Sequence, residues 1–160
     1  MDKPRDSLFS TPHLSRPVWL PLCLALGISA SLSACAPLTQ QADTKLYQQL
    51  GGIATIDAFS HRVVARAASD PRTRRTFEGV RLANLQQSIS LHMCKVADGP
   101  CVYEGETMRN AHADLAITGS EFDVLVQMLR EEMDAAGVST AAKNELLRRL
   151  APMRRDIVAP

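Results

Sequence analysis

From Ile53 to Ala68 the apolar residues Ile56, Phe59, Val63, Val64 and Ala67 recur at three- and four-residue steps, until Asp70-Pro71 interrupts the pattern. That spacing places them on one side of a helix. The rhythm returns in Leu82, Leu85, Ile89, His92 or Met93, and Val96, and stops at Asp98-Gly99-Pro100. It returns again in Phe122, Leu125, Val126, Leu129 and Met133, up to Gly137, a glycine placed to cap a helix end. A last stripe of Leu146, Leu147, Leu150, Met153 and Ile157 contains Pro152, which is expected to kink or locally break the ladder of hydrogen bonds.

Local signals add detail to these four stripes. "TKLYQQL" before Gly51-Gly52 reads as a two-turn helix stopped by glycine. A short helix is expected around Thr107 to Leu115, opened near His112. Thr118 and Glu121 have the spacing of a capping box, and Ser139 can cap the final helix. No window alternates apolar and polar residues with period two, and there are no internal repeats. The pattern therefore predicts an all-α domain of individually amphipathic helices, with no sheet. With four Phe, two Tyr and one Trp in the whole chain, its core must be mostly aliphatic.

The N-terminal part reads differently. Residues 17–35, "PVWLPLCLALGISASLSAC", form an apolar run after Arg16 that ends in small residues and a cysteine, the layout of a secretory signal. The run carries Pro21 and Gly27 and is shorter than the roughly 20 residues of a spanning helix. Its end, Leu32-Ser33-Ala34-Cys35, resembles the bacterial lipobox, in which the cysteine is acylated and becomes the first mature residue. The expected organisation is a signal peptide over 1–34, a lipidated tether over 35–43 and a globular domain over 44–158. The expected location is the cell envelope, lipid-anchored through Cys35 and facing the periplasm. Ala36, which is not Asp, favours the outer membrane in a Gram-negative cell.

Charge follows from that division. Taking Lys3, Arg5 and Arg16 from the 18 basic residues, and Asp2 and Asp6 from the 17 acidic ones, leaves 15 of each. A balanced chain offers no electrostatic case for a nucleic-acid partner, so membrane association would come from the lipid. Of the four cysteines, Cys94 and Cys101 remain in the globular part. In an oxidising compartment, C-x6-C across a Gly-Pro turn is most simply a disulfide; small core thiols and a metal or redox role are the other readings. His112 by itself also has three readings: a satisfied core histidine, a general base, or a ligand to a metal held inside the fold.

From Leu46 to Val158 the chain resembles the group I truncated haemoglobins, the short two-over-two helical globins. The landmarks are "LYQQLGG", "SDP", the phenylalanine of "RRTFEG", "DGPCVYEGETMRNAH", "ITGSEFDVLVQML" and "LRRLAPMRRDIV". The resemblance implies haem b, iron protoporphyrin IX, as cofactor, with His112 as the proximal iron ligand and Phe77 packed on the haem face. It places Leu85 and Ile89 on the helix over the distal side, with Val64 facing the same space. It makes Met108, Ile117, Phe122 and Val126 further walls of the haem.

The departures bear on function. Many group I members carry a tyrosine where this chain has Val64 and a glutamine where it has Leu85 or Ile89. Each lost donor to bound oxygen is a hydrogen bond of about 1.5–3 kcal/mol, so oxygen should be held roughly ten- to a hundredfold less tightly per donor. His92 and His61 are the two other histidines whose helix positions could bring them to that space, and Arg109 could reach the haem propionates or stay in solvent. The expected function is reversible binding of diatomic gases, O2, NO or CO, at a histidine-ligated haem iron. The alternatives are a nitric oxide dioxygenase or peroxidase-type haem enzyme and a haem-less interaction module. No reductase partner can be named from the residues.

Overall fold

The computed structural model describes residues 45–159; the expected signal peptide, Cys35 and the tether lie outside the described residues. Among the described residues seven α-helices follow one another: α1 (Leu46–Gln49), α2 (Gly52–Ser69), α3 (Leu82–Val96), α4 (Met108–His112), α5 (Gly119–Ala135), α6 (Thr140–Leu150) and α7 (Arg154–Ile157). Short 3-10 turns occupy Arg74–Phe77 and Ala151–Met153. No strand forms among the described residues, where the β pairing is an isolated parallel bridge between Ile117 and Val158. No described helix is long and apolar enough to cross a membrane.

The stripe on α2 is the centre of the fold. Ile56, Phe59, Val63, Val64 and Ala67 are all buried, and α2 is the main packing partner of both α3 and α5. Around Ile56, Phe59 and Val63 the core gathers Leu46 and Leu50, Met93 and Cys94, Leu129 and Met133, and Leu146. Burying an aliphatic or aromatic side chain of this size contributes about 1.5–3 kcal/mol. A charged clamp reinforces the α2–α5 contact. Arg62 Nε donates to Glu132 Oε2 at 2.6 Å and Arg66 Nη1 donates to Oε1 at 2.7 Å. Burial pushes the Glu132 carboxyl up, but the two guanidinium bonds outweigh it and hold the group below the ordinary carboxylate range.

Helix boundaries follow local chemistry, with three departures from the sequence reading. The first helix has one turn and not two. Gly51 and Gly52 both take left-handed conformations, φ 88° and 71°, immediately after it, and the Tyr47 N–H donates to the Ala97 carbonyl. The Tyr47 hydroxyl then accepts from the Ile53 N–H at 3.0 Å, which serves the start of α2 where Gly51 has no side chain to do so. Second, α4 is shorter than expected and His112 closes it, because Thr107 caps its start and the chain turns at Ala113 and Asp114. Third, the buried face of α3 is Ser90, Met93 and Cys94, while Leu82, Leu85 and Ile89 stay half-buried.

Other expectations match. Thr118 and Glu121 form the capping box at the start of α5, Ser139 accepts from the Ala142 N–H at the start of α6, and Gly137 is left-handed after α5. Pro152 falls in the 3-10 turn that separates α6 from α7. Cys94 and Cys101 are joined in a disulfide with Cα atoms 5.9 Å apart. Gly99 sits inside this turn, where a Cβ would lie 2.6 Å from the Cys94 sulfur and 2.5 Å from the Tyr47 ring.

Gly99→Ala must displace Cys94 or Tyr47, and equilibrium urea unfolding should show a loss of about 1–3 kcal/mol. Glu121 is held at about 2, against an ordinary value of 4.5, chiefly by the Arg75 hydrogen bond, with Thr118 helping. A carboxyl depressed on folding contributes stability above pH 4.5 that is lost as pH falls toward 2. Unfolding free energies at pH 6 and pH 3 should therefore differ less in Glu121→Gln than in the wild type; equal differences would show that Glu121 carries none of the acid sensitivity.

Candidate functional site

The site begins with α4. This helix has five residues, too few to persist without outside support. Thr107 Oγ1 accepts from the Asn110 N–H at 3.2 Å, and the outer side of the helix is tied to α7, where Arg109 pairs with Asp156. Just beyond it, Ile117 bridges to Val158 and its carbonyl accepts from the Ala159 N–H at 2.8 Å. Arg109, a candidate partner of haem propionates in the sequence reading, is thus engaged with a carboxylate of the chain itself.

At the end of α4 stands His112, half-buried, with Nδ1 2.7 Å from the Met108 carbonyl oxygen. A carbonyl can only accept, so this contact fixes the tautomer with the proton on Nδ1 and leaves the Nε2 lone pair free of the ring proton. No hydrogen bond engages Nε2 among the described residues. An imidazole so oriented is the donor expected of a single protein ligand to an iron.

The predicted walls share a common burial. Phe77, Leu85, Ile89, Met108, His112, Ile117, Phe122 and Val126 are all half-buried, in contrast to the residues of the core, which are below a tenth exposed. They come from the 3-10 turn, α3, α4, the turn after it and α5. Apolar side chains at this intermediate burial, on several elements, fit a flat apolar group that would cover them. Val64 differs: it belongs to α2 and is only 1% exposed.

Individual contacts show how far the structure brings these residues together. Phe77 and Leu82 line one hollow of about 260 Å³ with Ala68 and Val80. Met108 and His112 meet through the hydrogen bond, Phe122 lies under the Arg154 guanidinium at 5.5 Å, and Ile89 packs at the edge of the core. His61 and His92 are both half-buried. Nε2 of His61 and both ring nitrogens of His92 are buried without a hydrogen-bond partner. The His61 carbonyl accepts from Gln86 Nε2 at 3.2 Å, which ties α2 to α3 beside the predicted distal face.

Arg75 is the residue that sequence reasoning missed. Its guanidinium donates to the carbonyls of Leu115 and Ala116 at 3.1 and 2.9 Å and to Glu121 at 2.5 Å. One side chain therefore joins the turn that carries Phe77, the turn that follows His112, and the start of α5. Ala116 is left-handed at φ 44°, a conformation costly for a residue with a Cβ, and its carbonyl is one of those Arg75 grips. Arg74-Arg75 before Phe77 gives no sign in the sequence of which arginine turns inward, and the partners are about forty residues away.

The chain matches the bacterial-like globin family over residues 45–159. It is 27% identical over 113 residues to a group 1 truncated haemoglobin of Nostoc sp. (strain MUN 8820), covering 71% of this chain and 96% of that one. Its fold is similar to the crystal structure of truncated haemoglobin from Tetrahymena pyriformis in the Fe(III) form, with a TM-score of 0.69 at 21% identity, over 73% of this chain and all of that one. It is similar also to the 2/2 haemoglobin of Synechococcus sp. PCC 7002, crystallised in the cyanomet state with covalently attached haem. There the TM-score is 0.67 at 26% identity, over 72% of this chain and 98% of that one. A chain with these helices, this histidine and this match over its whole described length belongs to the bacterial-like globin family and has the truncated two-over-two fold.

Proposed function

We propose that the protein binds haem b through His112 and takes up diatomic gases reversibly, in the cell envelope, anchored by lipid on Cys35. Membership of the globin family implies haem binding, and the observation that carries the finer reading is the His112 Nδ1 contact with the Met108 carbonyl at 2.7 Å. When bound, haem supplies an iron with one coordination position open to a small ligand. The chain's part is to hold the imidazole. Met108 orients the ring, Thr107 and the Arg109–Asp156 pair hold the helix, and Arg75 holds the turn behind it. Phe77, Phe122, Val126, Ile117 and Met108 would cover the faces and edges of the group and keep water from it.

The distal side is the part of the proposal that sets ligand preference. Leu85 and Ile89 on α3 and Val64 on α2 have no hydrogen-bond donor to offer. Small apolar or weakly polar ligands lose nothing there, whereas oxygen lacks the donors that hold it. Cleavage of an O–O bond also needs polar groups beside the distal oxygen, so these residues favour gas binding over peroxidase-type turnover. Reading the domain as a haem-less interaction module leaves the orientation of His112 and the half-buried walls without a purpose.

Two measurements test this. The domain reconstituted with haemin should give a Soret band that shifts when carbon monoxide is added to the reduced protein. His112→Ala should abolish or alter that band; an unchanged spectrum would remove His112 as the ligand. Leu85→Gln returns one donor to the distal side and should slow oxygen dissociation about tenfold or more, as a hydrogen bond to a charged acceptor implies, with a smaller effect on carbon monoxide.

A further inference from the structure

His92 stands apart from the other residues of α3. It follows Leu85 by seven positions and Ile89 by three, so it belongs to the same side of the helix as the two proposed distal residues. Both of its ring nitrogens are buried and without a hydrogen-bond partner. Burial, with the nearby Lys95 charge, lowers its pKa below the ordinary histidine range, which favours the neutral imidazole. Unpaired polar atoms of this kind are costly and call for a reason.

The immediate reason is Tyr103, whose ring lies 4.8 Å from the His92 ring at a tilt of 52°. Tyr103 belongs to the non-helical segment between α3 and α4, and three features hold it there. Its hydroxyl donates to the Glu106 carbonyl at 3.1 Å. Gly105 passes so close beneath the ring that a Cβ would come within 2.4 Å of it. The third is the disulfide: Cys94 is two residues after His92, and Cys101 is two residues before Tyr103. The paired rings and the bonded sulfurs thus form adjacent rungs between α3 and the loop. Lys95 Nζ, 6.0 Å from the centre of the Tyr103 ring, is the charged group of α3 on this side.

We propose that the Cys94–Cys101 disulfide is a redox latch that keeps Tyr103 over His92, and that its reduction frees His92 as the polar residue on the ligand-facing side of α3. The reductant is a dithiol. Cys94 is fully buried and Cys101 only half-buried, so attack falls on the Cys101 sulfur. A thiolate of the dithiol bonds to Cys101 as the S–S bond breaks, releasing Cys94 as a thiolate that takes a proton. The second thiol, as thiolate, then displaces Cys101, which also ends as a thiol. Two electrons and two protons pass to the protein, and the dithiol leaves as a disulfide. Without the covalent rung, Tyr103 keeps only its Glu106 hydrogen bond and ring contacts, and water or a ligand can reach His92. The latch itself rests on the structure alone; the role of His92 toward a ligand rests on the haem reading above.

The first arm of the test uses haem-free protein, oxidised or reduced with dithiothreitol, treated with diethyl pyrocarbonate and mapped by mass spectrometry. In the oxidised protein His92 should be acylated more slowly than His112. Reduction, verified by alkylation of both thiols, should speed His92 roughly tenfold as the loop-closure constraint is lifted. Cys101→Ser should behave as the reduced protein without reductant, and Tyr103→Ala should expose His92 with the disulfide intact. Equal His92 rates in oxidised and reduced wild type, with both thiols alkylated, would overturn the latch. The second arm uses haem-loaded protein and the infrared C–O stretch of bound carbon monoxide. Reduction of the disulfide should shift that band in the wild type and leave it unmoved in His92→Phe. A band that ignores the thiols would overturn the distal role of His92 while leaving His112 ligation standing; a domain that takes up no haem would overturn the haem reading and with it that role, while the first arm still decides the latch.

Discussion

The buried face of α2 is the constraint on which the rest depends. Phe59 and Ile56 are completely enclosed, and the same helix meets α3 on one side and α5 on the other. Because apolar burial is roughly proportional to area, the helix that covers most apolar surface decides where its neighbours settle. Once α3 has given Ser90, Met93 and Cys94 to the buried core, its other apolar side is less enclosed. The half-buried Leu82, Leu85 and Ile89 are a consequence of that choice.

The opposite wall is built by other means. A five-residue helix cannot bring its own stability, and α4 contributes no residue to the buried core. It is positioned by polar ties: Arg109 with Asp156, Ile117 with Val158, and Arg75 with two carbonyls and Glu121. Exposed ion pairs of this type are individually weak, in the range of about 0–1 kcal/mol. Their value here is geometric, since several of them converge on the same short segment. The labour is divided: α3 is held by the core, and this short segment is held by its own ties.

Polar atoms inside the fold are treated in two ways. Glu132 is nearly enclosed but accepts from Arg62 and Arg66, so its charge is compensated in place. His61 and His92 keep buried nitrogens without partners. Buried polar groups in folded proteins are nearly always satisfied, and the exceptions tend to mark places where a ligand, water or a change of conformation completes the set. His92 lies on α3, the helix that carries the proposed distal residues, and His61 lies on α2, where its carbonyl meets Gln86 of α3.

Much of this was legible in the residues themselves. The periods of α2, α3, α5 and α6, the stop at Asp70-Pro71, the break at Asp98-Gly99-Pro100, the Thr118 and Glu121 box and the interruption at Pro152 all depend on neighbours within a turn or two. Order along the chain was enough to point to a family, and through it to His112. What local order could not supply was the choice between faces and the reach of long side chains. The sequence alone did not decide that α3 would turn Met93 and Cys94 inward, that His112 would close its helix, or that Arg75 would cross to Leu115, Ala116 and Glu121. Nor could spacing show Tyr103 lying on His92. Those outcomes are set by competition for the buried surface of α2 and by hydrogen bonds between residues far apart in the chain, and such terms acquire values only when the helices have packed.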